Sequence, residues 1–199
     1  MKKASKGVYC LEIGEWYGDL KKTCTVEPVL DLLMKSPLRV PYIHRDIATR
    51  SELRYYLRKW TQVRHKGYPI LYLAFHGRPG EIELADENGK SKAVTLEDLI
   101  PEFAGCCHNR IIHFGACSVM NLHGRTLRKY LHEFGALAIS GYASNVDWVK
   151  SAVFEMLFLA ELQNNALTVA GARAVKKRIQ KIAAPLSRDL QFKMIVKDP

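Results

Sequence analysis

The stretches ILYLAFHG (70–77) and RIIHFGACS (110–118) decide how this chain is read. Each is a short, nearly unbroken apolar run, as expected of a strand covered on both faces of a mostly parallel sheet. Between them lie a hairpin pattern and one helix pattern, enough for a crossover between parallel strands. The two strands are therefore expected side by side and parallel, about 4.8 Å apart. That placement delivers His76 and Cys117 to the carboxyl edge of the sheet, where open α/β sheets bind ligands and substrates.

Outward from this pair, strand and helix patterns alternate with short connections. Val8–Ile13 reads as a first strand, and Thr25 as the cap of a helix with Pro28 in its first turn. Arg39–Ile43 reads as a second strand. Ser51 is expected to cap a helix that presents Leu53, Tyr56, Leu57 and Trp60 on one face. Ile82 and Leu84 alternate with charged residues, Asn88-Gly89 is a favoured tight-turn pair, and Lys92–Val94 returns, which together predict a surface hairpin. Thr95 with Asp98 resembles a capping box ahead of Leu96, Leu99, Ile100 and Phe103. Beyond Cys117 come a helix facing inward with Leu127, Tyr130, Leu131 and Phe134, and a strand at Ala136–Ser140. An apolar helix at 148–162, a basic helix at 168–183 and an alternating edge strand from Leu190 to Val196 complete the chain. The expected fold class is α/β with a mostly parallel central sheet, in one domain over 1–199.

Composition narrows the function classes. Nothing approaches 18 consecutive apolar residues, so no membrane span is expected. The start, MKKASKG, reads as a basic tip before the first strand and not as a secretory signal, which makes the cytoplasm the expected compartment. Five cysteines are an odd number and form no disulfide framework in a chain this long. The net charge of +10 concentrates late, with Arg173, Lys176, Lys177, Arg178 and Lys181 on one helix. Such a face suits nucleic acid, an acidic membrane or an acidic partner; a solvated helix face is the preferred reading, since no nucleic-acid-binding module accompanies it.

Taken singly, His76 is an ordinary strand-end residue and Cys117 a small buried hydrophobe. Their joint placement favours a nucleophile–base pair. A thiol of pKa near 8.5 is mostly protonated at neutral pH and needs a base beside it, and the same imidazole can protonate a leaving amine. Cys106, Cys107, His108, His113 and Cys117 crowd one stretch, but no CxxC hook is present, so neither zinc nor any other cofactor is expected. His113 is read as a hydrogen-bonded core histidine, and His123 and His132 as surface residues.

Histidine-glycine after one hydrophobic strand and alanine-cysteine after the next resemble the caspase-like cysteine peptidases, which include caspases, separases and bacterial CHAT-type peptidases. The hairpin and helix between the motifs, 41 residues from His76 to Cys117, are similar to the CHAT-type members. The resemblance implies a caspase-like three-layer fold with helices on both faces of the sheet. It implies Cys117 as nucleophile, His76 as acid/base, and the backbone N–H groups of Gly77 and Cys117 as the oxyanion hole. A protein substrate follows, without a cofactor and with room for an activating protein partner. Ser118-Val119 stand where caspases carry Arg-Gly, and no acidic activation linker is evident, so substrate preference and activation mode do not carry over. Asp147, beyond Gly141-Tyr142, falls in the loop where such enzymes build part of the primary specificity pocket; a carboxylate there would select a basic side chain. Asp147 or Asn145 can equally cap the helix beginning near Trp148, and Tyr142 can line a pocket or pack against that helix. Two other readings stay open: a catalytically inactive binding module of the same fold that docks a partner through the basic helix, and a basic nucleic-acid-binding α/β protein.

Overall fold

The computed structural model describes residues 5–17, 19, 21–85, 91–103 and 105–198; the tip at 1–4 and the Asn88-Gly89 turn lie outside the described residues. Six strands form the central sheet: β1 (Val8–Ile13), β2 (Tyr42–Ile47), β3 (Ile70–Ala74), β7 (Ile111–Phe114), β8 (Ala138–Tyr142) and β9 (Phe192–Val196). Their spatial order is β2-β1-β3-β7-β8-β9, parallel throughout except for the antiparallel edge strand β9. The two apolar runs are thus direct parallel neighbours, with Ile70 beside Ile111 and Leu73 beside Phe114.

Alternation along the strands divides their side chains between two apolar layers. On one face Leu71, Leu73, Ile112 and Phe114 meet three helices, α2 (Arg50–Thr61), α3 (Leu96–Phe103) and α4 (Gly124–Phe134), through Leu57, Trp60, Phe103 and Phe134. On the other, Val8, Ile70 and Ile111 meet α1 (Glu27–Lys35), α5 (Trp148–Gln163) and α6 (Val169–Ile182) through Leu30, Phe154, Phe158 and Val175. The result is a three-layer α/β fold. A short helix α7 (Ala184–Asp189), which the sequence pattern did not announce, leads into β9.

Several boundaries differ from expectation, each for a local reason. The second strand begins at Tyr42 and not Arg39, because Arg39 adopts a left-handed turn conformation (φ 49°) after α1. Thr49, not Ser51, caps α2: its hydroxyl accepts the Glu52 N–H while the Glu52 carboxylate accepts the Thr49 N–H. Val26 holds the cap position of α1, yet the Thr25 hydroxyl still accepts the Glu27 N–H. The fifth parallel strand runs Ala138–Tyr142, since Gly135 closes α4 in the left-handed conformation and the chain extends only afterwards. Thr95 and Asp98 bond reciprocally at the start of α3, as their spacing implied.

The hairpin is more than a surface excursion. Its arms β5 (Glu81–Ala85) and β6 (Ser91–Thr95) join β4 (His76–Arg78) in a second, three-stranded antiparallel sheet. Ile82, Leu84 and Val94 are buried in the same apolar layer as α2–α4. His76 is therefore the first residue of this small sheet, two positions beyond the end of β3.

Candidate functional site

Leu73 and Phe114 are register partners in the central sheet. His76 and Cys117 each follow by three residues, so parallel pairing brings them out at the same height on the carboxyl edge. Both line one cavity of about 180 Å³. The strand proper stops at Phe114, and Cys117 sits on the turn that follows, not at a strand end. That turn is pinned: the Ser118 N–H donates to the Ser144 carbonyl at 2.9 Å, the Met120 N–H to the Tyr142 carbonyl at 2.9 Å, and the Ser118 hydroxyl to Asn145 at 3.0 Å. Ser118 itself occupies the left-handed region (φ 57°), which sharpens the turn immediately after the thiol.

The ring of His76 is held from behind. Its Nε2 lies 2.7 Å from the carbonyl oxygen of Trp16, in the loop after β1, and the Trp16 indole meets the imidazole edge-on at 5.1 Å. A carbonyl only accepts, so Nε2 carries the proton and Nδ1 is the basic nitrogen of the neutral ring. The Cys117 sulfur accepts a hydrogen bond from the Val146 N–H at 3.4 Å, which ties the thiol to the loop ahead of α5. Gly77 is obligatory here: a Cβ on it would lie 2.6 Å from Val119 Cγ2 and 2.8 Å from the Cys117 carbonyl.

Trp16 is in turn anchored by Glu12 at the end of β1. This carboxylate, 1% exposed, accepts the Trp16 indole N–H at 2.7 Å, the Thr25 hydroxyl at 2.7 Å and the Val26 N–H at 2.8 Å. His44 Nε2 stands 2.7 Å from its other face. Burial pulls the His44 imidazole down, but the hydrogen bond and charge of Glu12, backed by Glu27 and Asp46, hold its pKa above the ordinary value. Glu12, His44 and Asp46 offer ligand atoms within 4.8 Å of one another, the spacing of a metal site. The Glu12 oxygens are already occupied by the loop they organise.

The cavity walls are aromatic and aliphatic, with Trp16, Phe75, Val146 and Trp148 around Cys117 and His76. At its base are Tyr72 and Glu155. Glu155, 2% exposed on α5, accepts the Tyr72 hydroxyl on Oε2 and the Tyr142 hydroxyl on Oε1 at 3.1 Å. Burial, then the Glu155 charge, push both phenols well above their ordinary range, which keeps them donors. Gly115 packs against this base so closely that a Cβ would lie 2.8 Å from Glu155 Oε1.

Two sequence candidates fall elsewhere. Tyr142 is fully buried beneath the crevice, its hydroxyl committed to Glu155, and it does not line the cavity. Asp147 is exposed and caps α5, accepting the Lys150 N–H at 2.9 Å, because its position immediately before Trp148 is the helix N-cap. His113 is a core histidine, with Nδ1 3.1 Å from the Ser140 hydroxyl and Nε2 3.5 Å from Glu155. Cys106 is exposed and Cys107 buried, while His123 and His132 are on the surface. On α6, Arg173, Lys177, Arg178 and Lys181 are exposed, and Arg178 meets Glu161 at 3.4 Å. Among the described residues no helix is long and apolar enough to cross a membrane.

Sequence reasoning missed Trp16, Glu12 and Glu155. The first acts through its backbone carbonyl and has no side-chain signature. The two glutamates could have been noticed as lone carboxylates within the apolar segments VYCLEI and VFEMLFLA.

The chain is similar to Raptor from Chaetomium thermophilum at 13% identity, over 82% of this chain and 18% of that one, with a TM-score of 0.47. No curated protein matches the chain. A family model matches residues 5–195, and the chain accordingly belongs to the family described as one of unknown function, DUF6642.

Proposed function

We propose that this chain is a cysteine endopeptidase of the caspase-like kind, cutting a protein substrate in the reducing cytoplasm with Cys117 as nucleophile and His76 as acid/base. The observation that carries the reading is the common cavity of His76 and Cys117, with the imidazole held by the Trp16 carbonyl so that Nδ1 is left basic. Nδ1 takes the thiol proton and the sulfur attacks the scissile carbonyl, forming a C–S bond. The backbone N–H groups of Gly77 and Cys117 are assigned to the charged carbonyl oxygen. Collapse breaks the C–N bond, and the imidazolium proton leaves with the amine. Water then hydrolyses the thioester, releasing the acid and restoring the thiol. No cofactor enters these steps, and an activating protein partner is compatible with them.

The test is cleavage of a peptide library and of an identified substrate, with thermal unfolding as the folding control. Cys117→Ala and His76→Ala should each lower turnover by orders of magnitude at nearly unchanged unfolding temperature, and the double variant should be little worse than either. Near-normal turnover in Cys117→Ala would sink the peptidase reading. Salt-dependent binding to nucleic acid that Cys117→Ala leaves unaltered would favour the nucleic-acid alternative instead.

A further inference from the structure

We infer that the cavity beside Cys117 receives a basic side chain, arginine or lysine, and that Glu155 is the residue that selects it. The inference rests on the peptidase reading for the statement that this side chain belongs to the residue before the cut.

Among the described residues, Glu155 is the only acidic one lining the cavity, and with Tyr72 and Phe75 it forms the most deeply buried part of the lining. It is buried to 2% exposure, and no lysine or arginine pairs with it among the described residues. A carboxylate offers about four acceptor positions. Tyr72 and Tyr142 fill two of them, and His113 Nε2 stands off at 3.5 Å. A buried carboxylate without a cation is costly, and a guanidinium or ammonium entering from the crevice would relieve it.

The walls suit the rest of such a side chain. Trp16, Trp148 and the aliphatic Val146 line the same cavity. Aromatic faces accept both the methylene stem and the positive head of a long basic residue. An acidic side chain would meet the Glu155 charge, and an aliphatic one would leave that carboxylate unpaired.

Geometry ties this base to the reacting sulfur. Gly115 precedes Cys117 by two residues, and a Cβ on it would lie 2.4 Å from Tyr72 Cε2 and 2.8 Å from Glu155 Oε1. The absent side chain lets the polar base press directly on the backbone that carries Cys117. The carboxylate thus borders the segment that carries the reacting sulfur, whereas that of Asp147 is spent on its helix cap.

The test compares two peptidyl acyloxymethyl ketones that differ only in arginine or citrulline, its uncharged analogue of the same shape. The Cys117 thiolate displaces the acyloxy group, forming C–S and breaking C–O, with the carboxylate as leaving group. Labelling of Cys117 is followed by mass spectrometry. The arginine probe should react at least tenfold faster with the unaltered chain, and Glu155→Gln should bring the ratio close to one. A ratio near one in the unaltered chain overturns the proposal, and it does so even if Glu155→Gln fails to fold. So does an undiminished ratio in folded Glu155→Gln. If neither probe labels Cys117, titration with acetyl-arginine methylamide against acetyl-citrulline methylamide, followed by NMR, decides the cavity alone, independently of the peptidase reading. Preferential arginine binding that Glu155→Gln removes sustains it; equal binding overturns it.

Discussion

The five thiols of this chain sit in different environments, and their reactivity should follow. Cys107 is fully buried, and burial pushes its pKa up to about 12; Cys10, buried against the second apolar layer beside Glu12, is raised well beyond the ordinary range. Both should resist iodoacetamide at pH 7 for as long as the chain is folded, because the thiolate is the reactive form. Cys117 is half-buried beside an imidazole and accepts an N–H bond, so it should be alkylated ahead of them, and His76→Ala should slow it. Tryptic mapping of the modified cysteines over time checks this order. Labelling of Cys107 at the rate of Cys117 would contradict the burial on which the order depends.

At the scale of elements, the loop after β1 joins the far edge of the sheet to the crevice. Glu12 binds Trp16, Trp16 orients His76, and His44 on β2 leans on Glu12. Since the folded pKa of His44 is raised, its stabilising contribution is full below the unfolded value near 6.5 and is lost as pH rises through the folded value. The unfolding temperature should therefore decline above pH 6.5 with a His44-dependent component that His44→Gln removes. Melting curves from pH 6 to 9 on both proteins test the sign; a variant with the same pH profile would refute it.

Legibility in the sequence divides along the same lines. Uninterrupted apolar runs named β3 and β7, and with them the neighbours that carry His76 and Cys117, because buried parallel strands admit few alternatives. Turn conformations were less legible: nothing in Arg39 announces a positive φ, so β2 was placed too early. The base of the cavity was not legible. Helix α5 carries apolar residues nearly all round, including Val149 and Val153 on its exposed side, so periodicity does not say where its glutamate points. Asp147 drew attention because it lay in a loop, where a helix cap and a binding residue look alike in sequence.

For the molecule as a whole, two apolar layers share one sheet, so neither is expected to melt without the other. Leu53 anchors the layer under α2–α4, and Phe154 the layer under α5 and α6; both side chains are fully buried. Leu53→Ala should cost about 2–5 kcal/mol and Phe154→Ala about 3–5 kcal/mol, the usual range for emptying a core site. Each variant should still unfold in a single transition in urea, with fluorescence and circular dichroism coincident. Two separated transitions in Phe154→Ala would show that the layers are independent.

His76 opens the small sheet and Cys117 follows a strand of the large one, and the two sheets meet where Gly77 lies against the Cys117 turn and the Gly80 N–H reaches the Val119 carbonyl at 3.1 Å. The gap between nitrogen and sulfur is thus a property of a joint and not of either side chain. A substitution that shifts β5 and β6 against the central sheet would therefore alter it with every residue of the crevice unchanged, since the hairpin and His76 belong to one small sheet.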